Sequence, residues 1–371
     1  MKILHLLYES KGDPFGIGGV GIRAYELYGR LRERHDITFL CKKYPGAADG
    51  FKEGLKHVYV GSESKGLTKT LLSYAFYAAR FVKRHGAQFD VIVNEFSPAV
   101  PAFLYSYEDR PVVLQIQGYT GKKYFEKYNI FHSAVLYALE RWAPRHYKNF
   151  IFVSDASRKR FNVGKSKNVE VISNGISGKL LLRGTDESDY VLYLGRIDIH
   201  HKGLDILLHA FEEVSGAFPR VRLVIAGDGR DRQRFALLAE AMPEQIRKAI
   251  YMAGWVEDEE KESLISNALL LILPSRYETQ GIVALEAMAC GKALIVSDIP
   301  ELRYVTTSGA GIPFRSGDAV SLAVAMKDLL LSTHRSRMGQ KGREWVKEHT
   351  WDKIALRYEK FLCQVTSGHA S

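Results

Sequence analysis

Residues 269–298 read LLLILPSRYETQGIVALEAMACGKALIVSD. Residues 269–273 form an unbroken apolar run, the pattern of a strand buried on both faces. Pro274 and Ser275 end that run, and a polar loop follows over 276–280. Gly281 opens an apolar, helix-like run to Cys290, and Gly291 stands where a C-terminal cap glycine belongs. Residues 293–297 read as the next buried strand. Strand, loop, helix and strand make the repeating unit of a parallel α/β sheet, and such sheets bind ligands at the carboxyl ends of their strands.

The same unit recurs along the chain. Strands are expected over 2–8, 37–41, 58–60, 90–94, 112–116, 150–153 and 169–173, with helices over 20–34, 67–85 and 130–147. Asn174-Gly175 breaks the alternation, and the polar stretch 177–189 reads as a linker between domains. A second series follows, with strands over 190–194, 223–226, 249–253, 269–273 and 293–297. The tail 351–362 is amphipathic. The fold class is therefore α/β, with two Rossmann-like doubly wound domains, and 371 residues suffice for two separate cores.

Two carboxylates mark the opening stretch. Glu278 lies in the loop and Glu286 in the helix, with the helix N-terminus between them. Free N–H groups there attract phosphate. A ligand with hydroxyls at both ends and a diphosphate between them fits this arrangement, which describes a nucleotide sugar. Glu278 would take the sugar hydroxyls and Glu286 the ribose. Two glutamates alone are more often a solvated loop residue and a helix residue paired with a lysine.

The surrounding pattern is more specific. Pro274, Ser275, Glu278, Gly281, Leu285, Glu286, Ala287, Met288, Ala289, Gly291 and Lys292 together resemble the signature of the retaining glycosyltransferases of family 4 (group 1), which have the GT-B fold. One departure is Gln280, where family members commonly have Phe. The resemblance implies domains over 1–175 (acceptor side) and 176–350 (nucleotide-sugar binding), an active site in the cleft between them, and a last helix, 351–371, packed back on the first domain. Ile282, just past Gly281, joins the donor-binding set.

Further motifs agree. Gly195-Arg196, then Lys202-Gly203, resemble the family's G-R-x(5)-K-G segment. A fixed Arg196 and Lys202 can stabilise the charge that grows on a departing nucleoside diphosphate. With Glu278 they form the expected catalytic set. Gly227, in Gly227-Asp228-Gly229, and Val256, in Gly254-Trp255-Val256, resemble turns that meet the donor. Residues 16–21 read GIGGVG, literally G-x-G-x-x-G. The distance from the strand end near Tyr8 and the Cys41-Lys42-Lys43 end of the next strand argue against a dinucleotide site, which needs an acidic residue there. Gly18 and Gly19 instead resemble the family's paired glycines facing the donor diphosphate. Gln117 stands where members usually carry a His thought to touch the donor sugar. His200 and His201 lack a third ligand nearby and read as loop residues. No metal site and no cofactor are implied.

Cys41, Cys290 and Cys363 are scattered, without a disulfide framework or C-x-x-C site, which suits a reducing cytosol. No signal peptide is expected from residues 1–8, and 71–82, interrupted by Arg80, is too short to span a bilayer. Charge is uneven. Residues 1–170 hold 27 Lys and Arg against 16 Asp and Glu, and the remainder holds 25 against 26. The basic, aromatic segment 122–148 suits an anionic membrane surface. Single-stranded nucleic acid also matches such a segment, but a sugar transferase favours the membrane, so no nucleic acid is expected. The resulting expectation is a cytoplasmic, peripheral enzyme that moves a sugar from a nucleotide sugar to a glycan or lipid-linked acceptor in polysaccharide or glycolipid synthesis. A non-catalytic nucleotide-sugar-binding module and an epimerase of the same fold are the alternatives.

Overall fold

The structure, a computed structural model, describes residues 1–369 apart from 14–15, 64–65, 101–102, 108, 162, 165–166 and 185–186. The chain divides into two compact units: Met1–Asn174 with Trp351–Ser371, and Gly175–Thr350.

The first unit holds β1 (Lys2–Leu7), β2 (Asp36–Lys42), β3 (Gly50–Lys52), β4 (Leu55–Val60), β5 (Val91–Glu95), β6 (Val112–Ile116), β7 (Asn149–Phe152) and β8 (Asn168–Val171). Their order in the sheet is β3-β4-β2-β1-β5-β6-β7-β8, parallel except for the β3–β4 hairpin at one edge. Both faces are covered. On one, Ile3, Leu7, Val91 and Val93 pack with Leu27 and Leu31 of the helix Gly19–Leu31 and with Ile354 and Tyr358 of the helix Trp351–Ser367. On the other, Leu4, Leu6, Ile92 and Leu114 meet Tyr74, Ala78 and Val82 of the helix Leu67–His85. Burial on two sides is why these strands are apolar throughout rather than at alternate positions.

The second unit is a parallel sheet of β9 (Tyr190–Leu194), β10 (Arg222–Ala226), β11 (Ile250–Gly254), β12 (Leu270–Leu273), β13 (Ala293–Ser297) and β14 (Gly311–Phe314). Its order is β11-β10-β9-β12-β13-β14. The chain therefore reverses direction of winding between β9 and β12, the point at which doubly wound sheets open a ligand crevice. Val191 and Tyr193 pack with Leu207 and Phe211 on one face, while Leu192 and Leu194 pack with Leu285 and Met288 on the other.

Three expectations change. The helix expected over 130–147 ends at Trp142 and passes into a tight turn, Ala143–His146, because Pro144 has no N–H with which to continue the helical hydrogen-bond ladder. Segment 177–189 is not a free linker. Leu180 is buried in the second unit's core, Arg183 pairs with Glu262 at 2.7 Å, and the Ser188 amide donates to the Asn267 carbonyl at 2.7 Å. Strands β3 and β14 had no signal, being short and lying at sheet edges. Gly291 does close its helix: its amide donates to the Met288 carbonyl and that of Lys292 to Ala287, the paired bonds of a Schellman ending.

Candidate active site

In the second unit the loops after β9 and β12 meet at the switch point, and backbone contacts fuse them. The His201 carbonyl accepts from the amides of Arg276 and Tyr277 at 2.9 and 3.2 Å. Gly203 has φ +67, and a β-carbon there would lie 2.0 Å from the Pro274 carbonyl oxygen. Only glycine lets the helix Leu204–Ser215 start this close to the end of β12. Arg276 adds a two-pronged ion pair to Asp205, at 2.8 and 2.7 Å. Asp198 caps the short turn Ile199–Lys202, accepting from the His201 amide at 3.0 Å. Burial alone would raise the Asp198 pKa, but the hydrogen bonds from His201 and the nearby Arg230 hold it below the usual carboxylate value.

This frame brings Lys202 and Glu278 into direct contact. The Lys202 ammonium donates to Glu278 Oε1, and Ser275 Oγ donates to the same oxygen at 3.1 Å. The Glu278 side chain keeps 8% of its surface and that of Lys202 24%. The two residues expected at the diphosphate and at the sugar are thus partners here. Arg196 is exposed, and its guanidinium makes no hydrogen bond or ion pair among the described residues; its carbonyl accepts from the buried Tyr193 hydroxyl at 2.7 Å.

Glu286 lies one helix turn beyond Gly281. It pairs with Lys261 of the helix Asp258–Asn267 at 2.7 Å. Burial pushes the Lys261 ammonium down, but the adjacent Glu286 outweighs it and the pKa is raised. No sequence pattern marks Lys261, because the pair joins two helices and its members lie 25 residues apart. Gly281 precedes the helix Ile282–Ala289, which no side chain caps, and its carbonyl accepts from the Tyr304 hydroxyl at 3.1 Å. Gln280, the departure from the family pattern, is buried, and its carbonyl accepts from the same hydroxyl at 2.9 Å.

The turns after β9 and β10 are laced together. A β-carbon on Gly227 would lie 2.0 Å from the Gly195 carbonyl oxygen, and the Gly227 amide donates to Gly254 at 2.6 Å. Gly195 and Gly227 therefore hold the Arg196 loop in place through close backbone approach. Val256 is buried in the core below its own turn.

In the first unit Gly18 and Gly19 open the helix Gly19–Leu31, but the anion at that N-terminus is the chain's own. Glu9 Oε2 accepts from the amides of Gly18 and Gly21 at 2.9 and 3.3 Å. The loop between β1 and this helix returns Glu9 to the helix end, where the dipole favours a negative charge. Part of that loop, 14–15, lies outside the described residues. Gln117, just after β6, is buried, and its amide nitrogen lies 3.4 Å from both oxygens of Glu95. Arg23, fully buried on the same helix as Gly21, donates to the carbonyls of Ile172 and Ser173 and to Asn174 Oδ1. Burial draws its pKa down, against Tyr358 and Glu95, which raise it.

Among the described residues no group of three His, Cys, Asp or Glu is placed to hold a metal ion, and no helix is long and apolar enough to cross a membrane.

Comparison with known proteins settles the family. The model for group 1 glycosyl transferases matches residues 183–345, and that for Glycosyltransferase Family 4 matches 17–178. The chain belongs to the family 4, group 1 glycosyltransferases. It is 28% identical to the phosphatidyl-myo-inositol mannosyltransferase of Mycobacterium tuberculosis over 362 residues, covering 91% of both chains. Among solved structures it resembles sucrose-phosphate synthase from Thermosynechococcus elongatus, with a TM-score of 0.81 and 21% identity over 99% of this chain and 100% of that one. It also resembles Anabaena HepE in complex with UDP and glucose, with a TM-score of 0.72 and 19% identity over 98% and 99%. This glycosyltransferase thus has the GT-B architecture.

Proposed function

We propose that the protein transfers a hexose from a nucleoside diphosphate sugar to a glycan or lipid-linked acceptor, with retention of anomeric configuration, in polysaccharide or glycolipid synthesis. The observation that carries this reading is the set at the β9–β12 switch point: an Arg196 with no ion pair among the described residues, a Lys202–Glu278 pair and an uncapped helix N-terminus at Gly281. Three sources of positive potential converge where a diphosphate leaving group would develop charge. Arg196 and Lys202 fill the role that a divalent cation has elsewhere, so no metal or other cofactor is required. Glu278 orients the sugar once the donor competes for Lys202, and Glu286 holds the ribose. Gly195, Gly227, Val256 and Ile282 of the second unit complete the donor site. A thermal-shift screen of nucleotide sugars identifies the donor, because a ligand of the folded state raises its apparent stability. Proton NMR of the transferred product then reads the anomer: an inverted linkage rules out retention, and donor binding without any transfer rules out the acceptor class.

The acceptor side supports a membrane surface. Ile130, Phe131 and Trp142 of the helix Ile130–Trp142 are exposed, at 80, 74 and 44%, as are Phe125 and Tyr128 just before it. Lys122, Lys123, Arg141, Arg145 and Lys148 flank them. Tyr124 and Tyr147 of the same segment belong to the core. An apolar face ringed by basic side chains matches an anionic bilayer at the cytoplasmic face. Flotation with phosphatidylglycerol vesicles tests it: binding should fall as salt rises, and no binding at low ionic strength indicates a soluble acceptor.

A further inference from the structure

The loop 276–280 joins the helix Ile282–Ala289 through Gly281, whose φ of +74 lies in the left-handed region. The first amide of this helix to find an acceptor is that of Ala284, on the Gly281 carbonyl at 3.0 Å. Among the described residues the amides of Gly281, Ile282 and Val283 have none, and no side chain caps the helix. A glycine in this region leaves the peptide groups on either side of it free to turn, so nothing local fixes where these amides point.

Tyr304 supplies the missing constraint. It lies on the short helix Arg303–Thr307, and its single hydroxyl proton serves two successive carbonyls, that of Gln280 at 2.9 Å and that of Gly281 at 3.1 Å. In a trans peptide the carbonyl and the amide of one plane point in opposite directions. Bonds that hold the Gln280 and Gly281 carbonyls toward Tyr304 therefore aim the Gly281 and Ile282 amides away from it. Loss of solvent around the ring, with the Glu278 carboxylate nearby, holds the phenol well above its ordinary pKa, so the hydroxyl stays a donor. The ring is itself held from behind. It stacks on Trp345, with centroids 5.5 Å apart and planes at 24°, and Trp345 stacks on His349 at 4.0 Å and 14°. The His349 backbone is tied in turn, its carbonyl accepting from the Ile176 amide at 2.9 Å.

We propose that Tyr304 is a positioning residue for the donor diphosphate: by gripping the Gln280 and Gly281 carbonyls it turns the Gly281 and Ile282 amides toward the anion, with Trp345 as the backing that keeps its hydroxyl in place. The proposal rests on the reading of the helix end at Gly281 as the diphosphate site. Amides aimed in advance need no reorganisation when charge develops on the leaving group. A hydrogen bond to the carbonyl end of a peptide also polarises it, which makes its N–H end a stronger donor.

The test uses the full chain, with inorganic pyrophosphate as the probe. Labelling with 13C-carbonyl glutamine and 15N-glycine selects the amides of glycines that follow a glutamine, and the sequence has two, Gly118 and Gly281. The Gly118 signal disappears in Gln117→Asn, which identifies that of Gly281. In the wild type, pyrophosphate should move the Gly281 amide proton downfield. Tyr304→Phe keeps the ring on Trp345 and removes the hydroxyl. It should weaken pyrophosphate binding about tenfold in calorimetry and shrink the downfield shift at saturation. A Tyr304→Phe protein that binds with wild-type affinity and shows the full shift, whatever its Tm, overturns the proposal and leaves the diphosphate reading standing. A wild-type Gly281 amide that saturating pyrophosphate does not move takes the anion away from this helix end, and overturns that reading and the proposal together. Should Tyr304→Phe fail to fold, Trp345→Leu decides, since it retains the hydroxyl without its backing. It should weaken pyrophosphate about threefold or more, and wild-type affinity there overturns the proposal.

Discussion

Replacing Lys202 with methionine isolates the charge at the centre of the switch point. Among the described residues Glu278 then keeps only the Ser275 hydroxyl, at 3.1 Å, in a site where its side chain retains 8% of its surface. Removing one partner of a buried pair typically costs ~3–5 kcal/mol. Protonation sets a ceiling on that cost. Neutralising a carboxyl of ordinary pKa ~4.3 takes about 3.7 kcal/mol at pH 7 but only about 1 kcal/mol at pH 5. Lys202 is 24% exposed, so solvent already weakens the pair. We therefore expect a loss of ~2–3 kcal/mol at pH 7 and at most ~1 kcal/mol at pH 5. The double variant Lys202→Met/Glu278→Gln leaves no isolated charge and should recover most of the stability lost at pH 7. Urea unfolding of the wild type, both single variants and the double at the two pH values measures all of this. A loss of equal size at pH 5 and pH 7 refutes the reasoning, because packing defects do not titrate. So does a Lys202→Met protein within about 0.5 kcal/mol of wild type at pH 7, the range of an ordinary surface change.

Arg196→Ala should lower kcat by ~100–1000-fold, the usual effect of losing one preorganised charge donor. Stability should hold, since the guanidinium bonds no described residue; a wild-type kcat sinks its catalytic role. Glu286→Ala should weaken binding of the bare nucleoside diphosphate by ~1.5–3 kcal/mol in calorimetry, and Glu278→Ala should not. Equal losses in the two variants contradict the division of ribose and sugar between them. Asp198 has its pKa held below the usual value, so it stabilises the fold above the unfolded-state pKa, and that contribution fades as pH falls through its folded pKa. Asp198→Asn keeps a cap but loses the charge. It should cost about 1 kcal/mol at pH 6 and nothing in acid below its folded pKa, read from parallel thermal melts; a pH-independent difference denies the carboxylate its role.

Periodicity and punctuation in the sequence determine that this chain builds two parallel, doubly wound sheets. A strand such as Leu270–Leu273, covered on both faces, has to be apolar at every position, and that requirement is local. The glycine after the helix Ile282–Ala289 and the proline within 143–146 mark their boundaries for the same reason: each acts on its own neighbours' backbone. Strands β3 and β14 escape detection because each is a short edge strand with little burial to record, as with Phe51 of β3, which is 75% exposed. The motif residues could be named in advance, but their partners could not. Lys202 reaches Glu278 across 76 residues of sequence because the order β11-β10-β9-β12-β13-β14 sets the ends of β9 and β12 side by side. Glu286 finds Lys261 on another helix, Glu9 folds back onto Gly18, and Glu95 gathers Gln115, Gln117 and His5 from neighbouring strands. Such pairings depend on which strand ends lie next to each other and at what register. Sheet order and register are properties of the assembled sheet, and no local pattern of residue types carries them.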